Sequence, residues 1–186
     1  MSTPPDEPLP GAAPDDTLRT SVRVLQIIHL MLMAGVGGFF VFTLLTSRGR
    51  QPQPGDDAFA KIAFFASAVA AVVASVVPTL VASAGVKAVA AAARGTGQAG
   101  RGTGADAAAA HGLLQGLLGA YQSGHVVGMA ILEGAAFFAT FALRSGAAPW
   151  FPAGLIALMA WRFPTFARVA DWIDARRAEI DAGVHG

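Results

Sequence analysis

Apolar residues in this chain fall into four long blocks edged by basic residues, with neither the period-2 alternation of a strand nor a narrow amphipathic stripe. The first block runs from about Val24 to Leu45 between Arg23 and Arg48, and the second from about Ile62 to Val86 between Lys61 and Lys87. The third belongs to a run from Asp106 to Leu143 that Arg144 closes, with its span at about 121–143. As one helix that run would be roughly 57 Å long at 1.5 Å per residue, so its start is expected to project into water or to bend near Gly116 and Gly119. The fourth covers about 149–169, with Trp150 at one boundary and Trp172 just past the other, and Arg162 interrupts it. A soluble core does not need such blocks; a bilayer does, at about 20 apolar residues per crossing. The pattern predicts an all-α integral membrane protein with four spans.

Polar segments frame these blocks. Residues 1–18, with five prolines among Asp6, Glu7, Asp15 and Asp16, read as a disordered acidic tail; its acidic start is unlike a secretory signal. The first hairpin occupies 19–94 and the second 106–170, joined by a Gly-rich linker at 95–105. The sequence Gly95-Thr96-Gly97-Gln98-Ala99-Gly100 in that linker matches a dinucleotide fingerprint but lacks the strand before it that gives the motif meaning, so it reads as a tether. Residues 171–186 carry apolar positions at helical spacing opposite Asp171, Asp174, Arg177, Glu179 and Asp181, as in an amphipathic cytoplasmic helix lying at or leaving the inner surface. Basic residues set the orientation. Arg19, Arg23, Lys87, Arg94, Arg101, Arg162, Arg168, Arg176 and Arg177 lie towards one face, and only Arg48, Arg50, Lys61 and Arg144 towards the other. Nine against four predicts a multi-pass protein of a bacterial inner membrane with both termini cytoplasmic.

The two hairpins are copies. Sliding span 1 onto span 3 by 96 positions superposes Gln26 on Gln122, His29 on His125, Met33 on Met129, Ala34 on Ala130, Gly38 on Gly134 and Phe42 on Phe138. Spans 2 and 4 align at a shift of 86, Pro78-Thr79 on Pro164-Thr165. Both copies enter from one side, so the expected fold is a four-helix bundle of two duplicated transmembrane hairpins related by a pseudo-two-fold along the membrane normal. Between the copies, Glu133 stands where the first has Gly37, and Arg162 where it has Val76.

These differences single out the candidate chemistry. At 100° per residue Gln122, His125, Met129, Glu133 and Thr140 fall within about 80° on span 3, a polar stripe that should face the bundle. Gln26, His29, Met33 and Gly37 form the matching stripe on span 1. Glu133 and Arg162 lie about equally far from the turn between spans 3 and 4, within about 3 Å in height, so they are expected to meet. Glu133 is then either half of an intramembrane ion pair or an ion site with His125 as its relay. Two histidines are a thin metal site, since catalytic zinc takes three protein ligands, so neither a metal nor a cofactor is expected. Gly35, Gly37, Gly38, Gly124, Gly128 and Gly134 are expected to let helices approach closely. Pro78 and Pro164 are expected to kink or end spans 2 and 4.

Composition narrows the classes further. Hydrophobic residues make up 54% of the chain and charged ones 13%, against about a quarter in soluble domains. A net charge of +1 with no basic tract predicts no nucleic-acid partner, and the absence of Cys excludes disulfides and thiolate chemistry. No constellation of catalytic residues stands out, so a non-enzymatic role is expected.

The stretch Gly128-Met-Ala-Ile-Leu-Glu133-Gly-Ala-Ala-Phe-Phe138 resembles the acid-bearing helix of rotary-ATPase proteolipid (c-type) subunits, whose vacuolar form is likewise a duplicated four-helix chain with the acid in one half. Here, however, the acid is on the first helix of its hairpin. With Tyr121-Gln122 and Phe163-Pro164-Thr165, the same stretch is more closely similar to small bacterial four-helix membrane proteins of no assigned activity. The first resemblance implies proton or cation handling through Glu133. The second implies only a membrane role. Together these readings predict a structural or accessory subunit, with the lipid bilayer and either a homo-oligomer or a larger membrane complex as its partners.

Overall fold

The computed structural model describes residues 14–49, 53–96 and 103–183, and among them every element is helical. Helix α1 spans Pro14–Ser47, α2 Asp56–Thr96 and α3 Thr103–Phe141. A 3₁₀ turn (Ala142–Ser145) follows, then α4 (Trp150–Trp161) and α5 (Phe166–Asp181). Three of the helices are long and apolar enough to cross a membrane, over Asp16–Ser47, Asp56–Arg94 and Ala108–Ser145. At 1.5 Å per residue the 41 residues of α2 and 39 of α3 reach about 60 Å, twice the hydrocarbon thickness of a bilayer.

Small residues decide which helices pair. Along α3, Gly116, Ala120, Gly124 and Gly128 recur every four residues and form a ridge without bulk, against which α2 lies antiparallel. A methyl group added at Gly116 would stand 2.7 Å from Val89, one at Gly124 2.7 Å from the Pro78 carbonyl oxygen, and one at Gly128 2.5 Å from the Pro78 ring. On the facing helix, a methyl at Gly85 would stand 2.7 Å from Ala120 Cβ. Further along, Ser67 Oγ donates to the Ala135 carbonyl at 3.0 Å, a buried bond between the two helices. Backbones this close gain dispersion contacts along their whole length, which is what drives helix pairing where lipid removes the hydrophobic difference.

Helix α3 is consequently central. Half of its most apolar window is buried, against 17% for α1 and 11% for α2, which present Ile62, Phe65, Val69, Val72, Met31 and Phe42 outward. Helix α1 runs parallel to α3, bringing Phe39 to Phe137 with ring centroids 5.2 Å apart, and it packs on α3 and α4 much more than on α2. The two helices of the first expected hairpin are therefore not close neighbours. One core cluster joins Val36, Ala74, Met129, Leu132, Ala136, Leu155 and Met159 in the middle of the structure; the other joins Leu18, Val22, Val86, Leu117, Val169 and Ile173 at one end.

Several expectations change at this point. The helix α1 begins at Pro14, inside the expected acidic tail of 1–18, whose first thirteen residues lie outside the described part; so do residues 97–102 of the expected linker. Helix α3 runs unbroken past Gly116 and Gly119, because Gly116 seats Val89 instead of bending. Pro78 does not end α2, whereas Pro164 lies in a break between α4 and α5, so the fourth block is two helices and not one over 149–169. The C-terminal helix starts at Phe166. Its apolar face is not left for a membrane surface: Val169 and Ile173 are buried against the ends of α1, α2 and α3. Of the glycines expected at packing faces, Gly124 and Gly128 are closely packed, but Gly35, Gly37, Gly38 and Gly134 have nothing within 4 Å of an added Cβ.

This difference is measurable by unfolding in detergent. Gly128→Ala is expected to cost about 1–3 kcal/mol, since the Pro78 ring cannot swing aside as a flexible side chain would. Gly35→Ala, in open space, is expected to be neutral or to gain up to about 1 kcal/mol through helix propensity.

Candidate functional site

The polar groups in the middle of the structure are organised by two prolines. A proline inside a helix supplies no N–H, so the carbonyl four residues earlier loses its partner. For Pro78 that carbonyl belongs to Ala74, and it accepts from Arg162 Nη1 at 2.6 Å. The other arm of the guanidinium, Nη2, donates to Ser75 Oγ at 3.1 Å. Arg162 thus replaces the missing N–H from the neighbouring helix, and α2 continues through Pro78 as a single helix.

Pro164 has no such donor among the described residues. There the chain leaves the helix, and its carbonyls find partners one by one. The Ala160 carbonyl accepts from Phe163 N, those of Trp161 and Phe163 accept from Arg168 Nη1 at 3.0 and 3.3 Å, and that of Pro164 accepts from Gln26 Nε2 at 2.9 Å. Thr165 restarts the chain as α5, its hydroxyl accepting from Arg168 N as an N-cap. Irregular backbone away from water is tolerated only when so satisfied.

The two duplicated histidines meet each other. His29 Nδ1 lies 3.1 Å from His125 Nε2, and the rings stack at 5.4 Å and 30°. His29 is almost completely buried, with the Phe163 ring edge-on at 5.2 Å. Its Nε2 has no hydrogen-bond partner among the described residues. On the far side, Tyr121 stacks on His125 at 6.0 Å and meets Trp172 at 5.3 Å, while Arg176 covers the Trp172 ring and pairs with Glu179. A cleft of about 170 Å³ between α2, α3 and α5 reaches this aromatic stack, lined by Pro78, Thr79, Tyr121, His125, Trp172 and Arg176. A second, mostly apolar cleft of about 230 Å³ lies at the opposite end among Phe64, Phe65, Trp150 and Phe151.

The expected pair of Glu133 and Arg162 is not formed. Arg162 is turned to α2, and Glu133 makes no ion pair or hydrogen bond among the described residues. Equal height on two helices says nothing about azimuth, and the orphaned Ala74 carbonyl claims the guanidinium first. Glu133 is half-exposed on a shoulder of α3, about 20° from fully buried Thr140 and about 40° from Phe137, which touches α1. The Thr140 hydroxyl is buried without a partner. Gln122 makes no hydrogen bond among the described residues, although its copy Gln26 does. The expected stripe thus resolves into a histidine pair at one level, a lone acid about two turns above it and a hydroxyl about four turns above it. The spacing of Pro78 to Ala74, with a lone Arg in the facing block, was the sequence signal for the Arg162 contact.

No family model, curated protein or solved structure matches this chain.

Double-mutant cycles separate the two possible partners of Arg162. In Pro78→Ala the regained N–H takes over the Ala74 carbonyl, so Arg162→Leu is expected to cost less there than in the wild type, a coupling of about 1 kcal/mol or more. Glu133→Gln and Arg162→Leu are expected to be additive within about 0.5 kcal/mol. Coupling in the second cycle and not the first would mean that the acid, not the carbonyl, holds Arg162.

Proposed function

We propose that this chain is a small inner-membrane protein that crosses the bilayer four times, with both termini cytoplasmic, and that serves without catalysis as a structural or accessory subunit of a larger membrane assembly. Glu133 carries the reading. An unpaired charge in the hydrocarbon costs about 2.5–3.5 kcal/mol, and this one is half-exposed on a helix shoulder that no donor among the described residues reaches. Close by in sequence, Gly134 is open, as are Gly35, Gly37 and Gly38 on α1. A carboxylate and bare backbone in this arrangement are completed by a helix from another chain that brings a donor. The meeting of His29 with His125 supports the duplicated-hairpin reading, since a pseudo-two-fold between α1 and α3 brings each residue of one copy towards its own counterpart.

A second reading has one observation in its favour. Freed from Arg162, Glu133 is available to bind and release a proton or cation, in the manner of a proteolipid-like homo-oligomer. The two readings part in liposomes. The accessory role expects proton flux no greater than in empty vesicles, for wild type and Glu133→Gln alike; flux that Glu133→Gln abolishes would establish the second reading instead.

Topology is directly accessible because the chain has no cysteine. Gly146→Cys is expected to react with a membrane-impermeant maleimide from outside intact cells, and Ala178→Cys only after permeabilisation. Labelling of both from one side would contradict a fourth crossing.

A further inference from the structure

We propose that His29 and His125, together with Met33 and Met129, form a binding site for a soft monovalent metal ion, Cu(I). The site is duplicated in the sequence: each histidine carries a methionine four residues on, one helical turn higher on the same face, and the two helices that bear them run side by side in the same direction. Met129 is fully buried in the central cluster, to which the fully buried Met159 of α4 also belongs and against which Met33 packs.

The nitrogen spacing fits a shared ion. Two imidazole nitrogens bound at about 2.0–2.1 Å to one tetrahedral centre stand about 3.3 Å apart, and His29 Nδ1 and His125 Nε2 are already 3.1 Å apart. An ion on Nδ1 of His29 would also fix the proton of that ring on Nε2, the buried nitrogen without a partner among the described residues. Entry is provided by the cleft that His125 lines between α2, α3 and α5.

Ligand chemistry selects the ion. The set is two neutral imidazoles and thioethers, and no group of three or more His, Cys, Asp or Glu that could hold a metal exists among the described residues. Hard divalent ions want oxygen ligands, and Zn(II) would leave two uncompensated charges in an apolar bundle. Thioether sulfur and imidazole together suit Cu(I), whose single charge costs least to bury.

The test is competition for Cu(I) between the full-length protein, purified in detergent through a tag free of histidine, and the chromophoric chelator bicinchoninate under anaerobic conditions. Wild type is expected to retain one ion per chain. Asn substitution of either His29 or His125 should loosen it at least a hundredfold, and Met129→Leu or Met33→Leu about tenfold or more with the thermal midpoint held, since Leu keeps the methionine volume. Met31→Leu, at an exposed methionine, should change nothing. X-ray absorption of the loaded protein should show both nitrogen and sulfur neighbours. Failure of the wild type to retain the ion, equal retention by the histidine variants, equal loosening by Met31→Leu, or a spectrum without sulfur would each overturn the site.

Discussion

One hydrogen bond sets the arrangement of the middle of this bundle: Arg162 of the α4 C-terminus to the Ala74 carbonyl that Pro78 leaves without a donor. In an apolar surrounding a guanidinium and an orphaned carbonyl are each costly. Joining them removes both penalties, and each charge-assisted bond returns about 1.5–3 kcal/mol. The bond also has a structural consequence. It lets α2 pass through its proline unbroken, so that the full length of α2 lies against the small-residue ridge of α3. The Pro78 ring then fills the notch above Gly124 and Gly128, and one residue serves as both the break and the key.

The same logic accounts for the break at Pro164. No guanidinium replaces the missing N–H there among the described residues, and the helix gives way. Gln26 and Arg168 then cap the exposed carbonyls from two directions, and Thr165 turns the chain into α5. With that turn Val169 and Ile173 swing onto the ends of α1 and α3 and close one end of the bundle. A guanidinium donated to the carbonyl below Pro78, with no like donor among the described residues to the carbonyls below Pro164 but Arg168 and Gln26 beyond the break, separates a continuous helix from a broken one.

Much of this was legible in the sequence, and the rest was not for identifiable reasons. Three long helices follow directly from apolar blocks of membrane length, and the break at Pro164 from the proline itself. Continuity at Pro78 was hidden because it depends on a donor supplied 84 positions later. Pairing Glu133 with Arg162 failed because charge and height suggested a partner, while the stronger claim came from a backbone acceptor that carries no letter in the sequence. The ridge Gly116, Ala120, Gly124, Gly128 was visible by its spacing, yet glycines on the open face of α1 looked equally suited to packing. The histidine pair was half visible: the alignment placed both residues in register, but only the fold shows that their rings meet.

Functionally, packing among the described residues satisfies the arginine and the broken backbone and leaves other polar features over, among them the half-exposed Glu133, the Ser47 and Thr140 hydroxyls and the unpartnered nitrogen of His29. The partner helix proposed for the acid and the ion proposed for the histidines answer two of them. Both rest on the frame that Arg162 holds. The most direct test is the length of α2 itself, read by double electron–electron resonance between spin labels at Ile62→Cys and Ala88→Cys. A continuous helix puts these backbones about 39 Å apart. In wild type a narrow distribution near that value is expected, and in Arg162→Leu a shorter and broader one as the helix kinks at Pro78. An unchanged distribution in Arg162→Leu would contradict the account, because α2 would then cross its proline without help from α4.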